Sequence, residues 1–105
     1  MEYKIEIKDF CGKNIVTRDD GEKVRKWIEG KWENTGKIRI DFGNILVASV
    51  SFFDEIFGQL ALKHSRNEFA NKIIVENIQE YDRDLLNDIL RSRFREKELK
   101  PEDQT

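Results

Sequence analysis

Lys37 to Leu60 reads KIRIDFGNILVASVSFFDEIFGQL, and the change of period inside it decides the fold class. Ile38, Ile40 and Phe42 alternate with Arg39 and Asp41, the two-residue period of a strand with one apolar face. Gly43 and Asn44 are turn formers that end it. Beyond Ile45 to Ala48 the period lengthens, because Phe53, Ile56, Phe57 and Leu60 recur at helical spacing. Ser51 is placed to cap that helix and Asp54 follows three residues later, so a helix is expected over Phe52 to Lys63. Lys72 to Ile78 (KIIVENI) is short, β-branched and apolar on both sides, the pattern expected of an interior strand covered on two faces. Strand, helix and strand in this order predict a parallel, right-handed crossover.

The flanking segments extend this α/β pattern. Tyr3, Ile5 and Ile7 alternate with Lys4, Glu6 and Lys8 and predict a first strand. Residues 9–14 read as a turn, and Ile15 and Val16 as a short edge strand. Asp19 and Glu22 have capping-box spacing ahead of Val24, Trp27 and Ile28, which predicts a helix over Asp20 to Glu29. Asp82 can cap a last helix carrying Leu85, Leu86, Ile89, Leu90 and Phe94 and ending in the charged RSRFREKELK. The expectation is an α/β fold with a mixed sheet of four or five strands and about three main helices. It forms one domain over residues 1–100, followed by a flexible acidic tail at 101–105.

Composition narrows the class. The chain has 105 residues, 19 basic and 21 acidic, so charge at 38% is well above the roughly 25% of an average domain. A chain this short buries about two thirds of its unfolded surface, enough for one core. Twelve Ile, seven Phe and five Val against seven Leu favour strands over an all-helical bundle. No apolar run approaches the roughly 18 residues of a membrane span, and MEYKIEIKDF does not read as a signal peptide. The lone Cys11 excludes an internal disulfide and fits a reducing, cytoplasmic compartment.

Chemistry-bearing residues are sparse. Asp41, Asp54 and Glu55 are the candidates for a carboxylate cluster, since a strand end and the next helix start lie close together in α/β folds. Helix-dipole and loop roles account for these carboxylates more simply than a hard cation does. His64 and Cys11 are the only residues of their kinds, too few for a zinc site. No glycine-rich phosphate loop is present, so neither a cofactor nor a catalytic set is expected. Arg91, Arg93, Arg95 and Lys97 surround Phe94 and form an alternative surface for nucleic acid, diluted by Glu96 and Glu98. Trp27 and Trp32 lie about 140° apart on a continuous helix, so they cannot share one core. Trp32 then covers a core edge or is an exposed partner site.

The segment IRIDFGNILVASVSFFDEIFGQL, Ile38 to Leu60, resembles the central motif of STAS domains, the fold of bacterial anti-sigma-factor antagonists. More closely it resembles the small bacterial STAS-like family of unknown function. The matching residues are Asp41 and Phe42 at a strand end, Ser51, and the helix start Phe52, Asp54 and Glu55. The upstream TRDDGEKVR and the strand ending in Asn77 extend the likeness. In phosphorylatable STAS domains the loop reads Asp-Ser-Ser/Thr-Gly, and its first hydroxyl residue is modified by a kinase of the GHKL fold. Here ungapped matching sets Ser49, Val50 and Ser51 on that triplet, with Val50 on the modified position and Phe52 in place of the glycine. The resemblance therefore implies a regulatory or adaptor module without enzymatic activity. It points to a protein partner, such as a GHKL-type ATPase or kinase, met through residues 43–55. Ser49, Ser51, Phe52, Asp54 and Glu55 would touch that partner, Asp41 and Asn44 would shape the loop, and Ser49 or Ser51 would be the alternative phosphosites.

Overall fold

The computed structural model describes residues 2–34, 36–47 and 49–98, so the expected tail at 101–105 lies outside the described residues. Three strands form the main sheet: β1 (Glu2–Glu6), β3 (Lys37–Asp41) and β5 (Ile73–Glu76), in the order β1-β3-β5 and parallel throughout. Two further strands, β2 (Ile15–Val16) and β4 (Leu46–Val47), pair in parallel as a separate two-stranded sheet. Five helical stretches, α1 (Ile7–Cys11), α2 (Arg18–Lys31), α3 (residues 50–63), α4 (Arg66–Lys72) and α5 (Glu80–Glu98), and a short 3-10 helix at Trp32–Asn34 are the helical elements of the described residues. α3 is continuous but composite, with α-helical Val50–Phe53 and Gln59–Lys63 on either side of a π-helical turn at Asp54–Gly58.

The α/β class therefore holds, whereas the single mixed sheet of four or five strands does not. The chain leaves the main sheet after β1 through the compact α1, and after β3 through the Gly43–Asn44 turn. Ile15–Val16 and Leu46–Val47 consequently pair with each other and not with the main sheet. Ile7, expected to continue β1, opens α1, which ends at Gly12 with φ +72°, a left-handed conformation that suits glycine.

β3 is the central strand. It places Ile38 and Ile40 beside Ile73 and Val75 of β5 in the predicted parallel pairing. β5 itself lies at the edge and all four residues are half-buried, which corrects the expectation of an interior strand. Ile38 and Ile40 face a core completed by Val24 and Ile28 of α2, Phe52, Phe53, Ile56, Phe57 and Leu60 of α3, and Phe69, Leu86 and Phe94. The opposite face of the sheet carries Glu2, Lys4, Glu6, Arg39, Asp41 and Glu76. Arg39 bridges Glu2 at 3.2 Å and Glu76 at 2.7 Å across the three strands.

Helix starts deviate from the sequence reading by small, explicable amounts. The capping box of α2 is Thr17 with Asp20: the Thr17 N–H donates to Asp20 Oδ2 at 2.9 Å, displacing the expected Asp19 and Glu22. α4 was not foreseen, although Ser65 and Glu68 have the same spacing and Ser65 Oγ accepts the Glu68 N–H at 3.0 Å. No helix among the described residues is long and apolar enough to cross a membrane.

Candidate functional site

The carboxyl ends of a parallel sheet are where α/β folds usually gather polar side chains, and here Glu6, Asp41 and Glu76 stand in register at those ends. A cleft of about 330 Å³ opens there, lined by Glu6, Lys8, Asp9, Asp41, Gly43, Asn44 and Asn77. Asp41 organises it. Its Oδ1 accepts the Gly43 N–H at 2.8 Å and the Asn77 side-chain N–H at 2.9 Å, which ties the end of β3 to the end of β5. Those two donors, with Asn77 the stronger, hold the Asp41 carboxyl below the usual aspartate range. Asn44 and Asn77 have φ of +61° and +58°, a left-handed conformation that asparagine tolerates better than most residues. Asp41 and Asn44 are the two residues expected to shape this loop.

After Asn44 the chain turns outward. The Leu46 N–H donates to the Asn14 carbonyl at 2.7 Å, and β4 lies on β2 with Ile15 opposite Leu46 and Val16 opposite Val47. Val16 is fully buried while Ile15 and Leu46 are 51% and 60% exposed, so the small sheet presents an apolar outer side. Val50, the first residue of α3, is 54% exposed as well. The cap of α3 is Ser49 and not Ser51: Ser49 Oγ accepts the Ser51 N–H at 3.1 Å. Ser51 stands exposed in the first turn. The helix begins earlier than the apolar spacing indicates, because its first residue, Val50, faces solvent and adds nothing to the buried pattern.

The other candidates separate. Phe52 is fully buried against Phe42 and Phe53, and so offers no surface to a partner. Asp54 receives Arg93 of α5 in a two-pronged contact, Nε to Oδ1 at 3.0 Å and Nη2 to Oδ2 at 2.8 Å. That contact, with Glu96 behind it, raises the Arg93 pKa. Glu55 points to α2, with Arg25 at 3.1 Å and Arg18 at 3.4 Å. Asp41, Asp54 and Glu55 thus have three different sets of partners and form no cluster. Among the described residues no group of three or more His, Cys, Asp or Glu is placed to hold a metal ion.

In the basic segment, Arg93 is held by Asp54 and Glu96, and Arg91 meets Asp88 at 2.8 Å. Lys97 donates to the His64 carbonyl and lies over the Phe94 ring, while Arg95 is exposed. His64 stacks on Trp32 with ring centres 3.9 Å apart. Both contact Glu68, Trp32 Nε1 at 3.0 Å and His64 Nδ1 at 3.5 Å, which holds the Glu68 carboxyl low. Trp32 therefore closes a core edge, and Trp27 is the half-buried tryptophan, edge-on to Tyr3 and Phe10. The Arg93–Asp54 link escaped sequence reading because nothing in sequence relates two residues 39 apart.

A strand ending in Asp41 and Phe42, a loop, and a helix with Phe52, Asp54 and Glu55 in its first turns stand here in the order of the STAS-like motif. The family model for a STAS-like domain of unknown function matches residues 20–83, from the first turn of α2 into α5, and the chain belongs to that family. No match is found among curated proteins or among solved structures.

Proposed function

We propose that the protein is a non-enzymatic regulatory or adaptor module that binds a protein partner through the surface formed by residues 43–47, residues 49–51 and β2. The observation that carries this reading is the exposed apolar pair Ile15 and Leu46, set side by side by the pairing of β2 with β4, together with Val50 exposed at the helix start that the STAS resemblance singles out. Exposed aliphatic groups brought together by strand pairing have no role in the core, and such patches mark interaction sites. Val50 sharpens the argument. It occupies the position of the modified hydroxyl residue, so a partner meets an isopropyl group where a phosphorylatable domain shows a serine.

Phe52, Asp54 and Glu55 support the surface from behind, through the core, α5 and α2 respectively, while Ser49, Val50 and Ser51 face the partner. A GHKL-type ATPase or kinase is the partner class that the resemblance brings in. The alternative, nucleic acid on Arg91, Arg93, Arg95 and Lys97, is disfavoured because three of these four cations already have partners within the chain.

Capture from the native host with mass spectrometry, followed by titration calorimetry of the identified partner, tests the reading. Leu46→Asp should weaken binding at least tenfold without loss of fold, and Arg91→Glu should leave it unchanged. Binding that survives Leu46→Asp and is lost with Arg91→Glu would place the interface on α5 and overturn the proposal.

A further inference from the structure

β1 pairs with β3 on one flank, and among the described residues no strand lies along the other. Beside β1 opens a cleft of about 450 Å³ lined by Lys4, Ile5, Glu6, Asp9, Phe10 and Trp27. Phe10 is 40% exposed there, and Tyr3 lies edge-on to Trp27 with ring centres 6.1 Å apart. A free strand edge next to an apolar floor is a template for another strand.

The sequence of β1, Glu-Tyr-Lys-Ile-Glu, selects which strand. Glu2, Lys4 and Glu6 share one face and Tyr3 and Ile5 the other, because side chains alternate along a strand. A lone lysine in the middle of an edge ordinarily blocks pairing. Here a glutamate stands two residues away on each side, and antiparallel pairing of two copies converts the block into a match. With Tyr3 opposite Tyr3, Glu2 of each copy faces Lys4 of the other. With Ile5 opposite Ile5, each Lys4 faces the other copy's Glu6.

The register between these sets Lys4 against Lys4 and Glu2 against Glu6, and parallel in-register pairing also sets like charges side by side, so both are repelled. Registers slipped by one residue put the apolar faces on opposite sides of the sheet. In both allowed registers the second copy's Tyr and Ile fall on the side of Phe10 and Trp27. The intrachain contacts of Lys4 are long, 3.9 Å to Glu6 and 3.7 Å to Asp41, and its side chain is half exposed, so it has capacity for a closer anion.

We propose that β1 pairs antiparallel with β1 of a second copy, giving a twofold dimer with a continuous six-stranded sheet. The interface is isologous, as a closed dimer requires. It uses none of residues 43–55, so it stands apart from the partner reading above.

Light scattering on the full chain at low salt tests it with two variants of opposite sign. Lys4→Glu makes the strand face wholly acidic, and Glu2→Lys with Glu6→Lys makes it wholly basic. The unmodified chain should weigh twice the 12.5 kDa of one copy, and each variant alone should weigh 12.5 kDa. An equimolar mixture of the two variants should return to twice that mass, which a merely misfolded variant cannot do. Raising salt on the unmodified chain from about 0.05 to 0.5 M should lower the dimer fraction, since exposed charge pairs are screened. A monomeric unmodified chain, a dimer that persists in either variant alone, or a mixture that stays monomeric would each overturn the proposal.

Discussion

Ser49 and Ser51 flank Val50 and differ in what their hydroxyl groups do. Ser49 satisfies a backbone N–H left without a partner by the start of α3, whereas Ser51 lies within the helix. Ser49→Ala is therefore expected to cost about 0.5 to 2 kcal/mol. Ser51→Ala, which removes no cap, should stay within about 0.5 kcal/mol of the parent in urea unfolding. Equal losses for the two would show that the cap is shared. Glycine matters in a comparable way at residue 21, where an added Cβ would stand 2.9 Å from the Phe52 carbonyl oxygen. That oxygen belongs to backbone and cannot swing aside, so Gly21→Ala must push α2 from α3. A loss of about 1 to 3 kcal/mol is expected, the usual range for overpacking, and a neutral result would show that the helices slide apart freely.

At the scale of elements, α3 is the part on which the fold turns, because it touches α2, α5 and the sheet through one residue after another. Phe57 is fully buried between Phe42 and Phe69, and Phe57→Ala should cost about 3 to 5 kcal/mol on urea unfolding. A loss below 1 kcal/mol would make the ring peripheral. Glu55 departs from its sequence reading. Expected in a helix-dipole role and at the partner surface, it instead lies between Arg18 and Arg25 with only 15% of its side chain exposed. Glu55→Lys would gather three cations there, and a loss of about 1 to 3 kcal/mol, between surface and buried ion pairs, is expected from thermal melting.

The same helix shows what sequence conveys. Phe53, Ile56, Phe57 and Leu60 announced it because burial on one face leaves a periodic trace, as did Ile38, Ile40 and Phe42 for β3. The π-helical turn at Asp54–Gly58 leaves no such trace, and neither does the reach of Asp54 to Arg93 in another element. α1 and α4 are too short for a period to develop. α4 was nonetheless signalled by Ser65 and Glu68, whose spacing is a local chemical mark and not a periodic one. Of the candidate site, the strand-end aspartate and the loop were legible. Leu46 and Ile15 became neighbours only through the pairing of β2 with β4, which no single segment encodes.

For the whole molecule, the acid limb of stability follows from where carboxylates tie elements together. Asp41 joins the ends of β3 and β5 through Asn77 and Gly43, and its carboxyl is held low by those bonds. Asp20 is buried, which alone would raise its pKa. The Thr17 N–H, together with Lys13 at 3.1 Å, overcomes that burial and leaves it lowered. Both groups bind protons more readily unfolded than folded, so their contribution is complete above the unfolded aspartate value of about 4. It is lost as pH falls through their lower folded values. Glu6 works in the opposite sense: a hydrogen bond shared with Asp9 raises its pKa, so its share is present at low pH and fades as pH rises through the raised value. Glu6 is exposed on the surface, and the two aspartates should set the sign. Stability from urea unfolding is accordingly expected to be level from about pH 7 to 5 and to fall steadily below 4. Asp41→Asn should lower stability at pH 7 and flatten the slope below pH 4, because a neutral amide has no proton to take up there. An unchanged slope in Asp41→Asn, and likewise in Asp20→Asn, would mean that acid acts on other carboxylates and that these two ties do not carry the pH dependence.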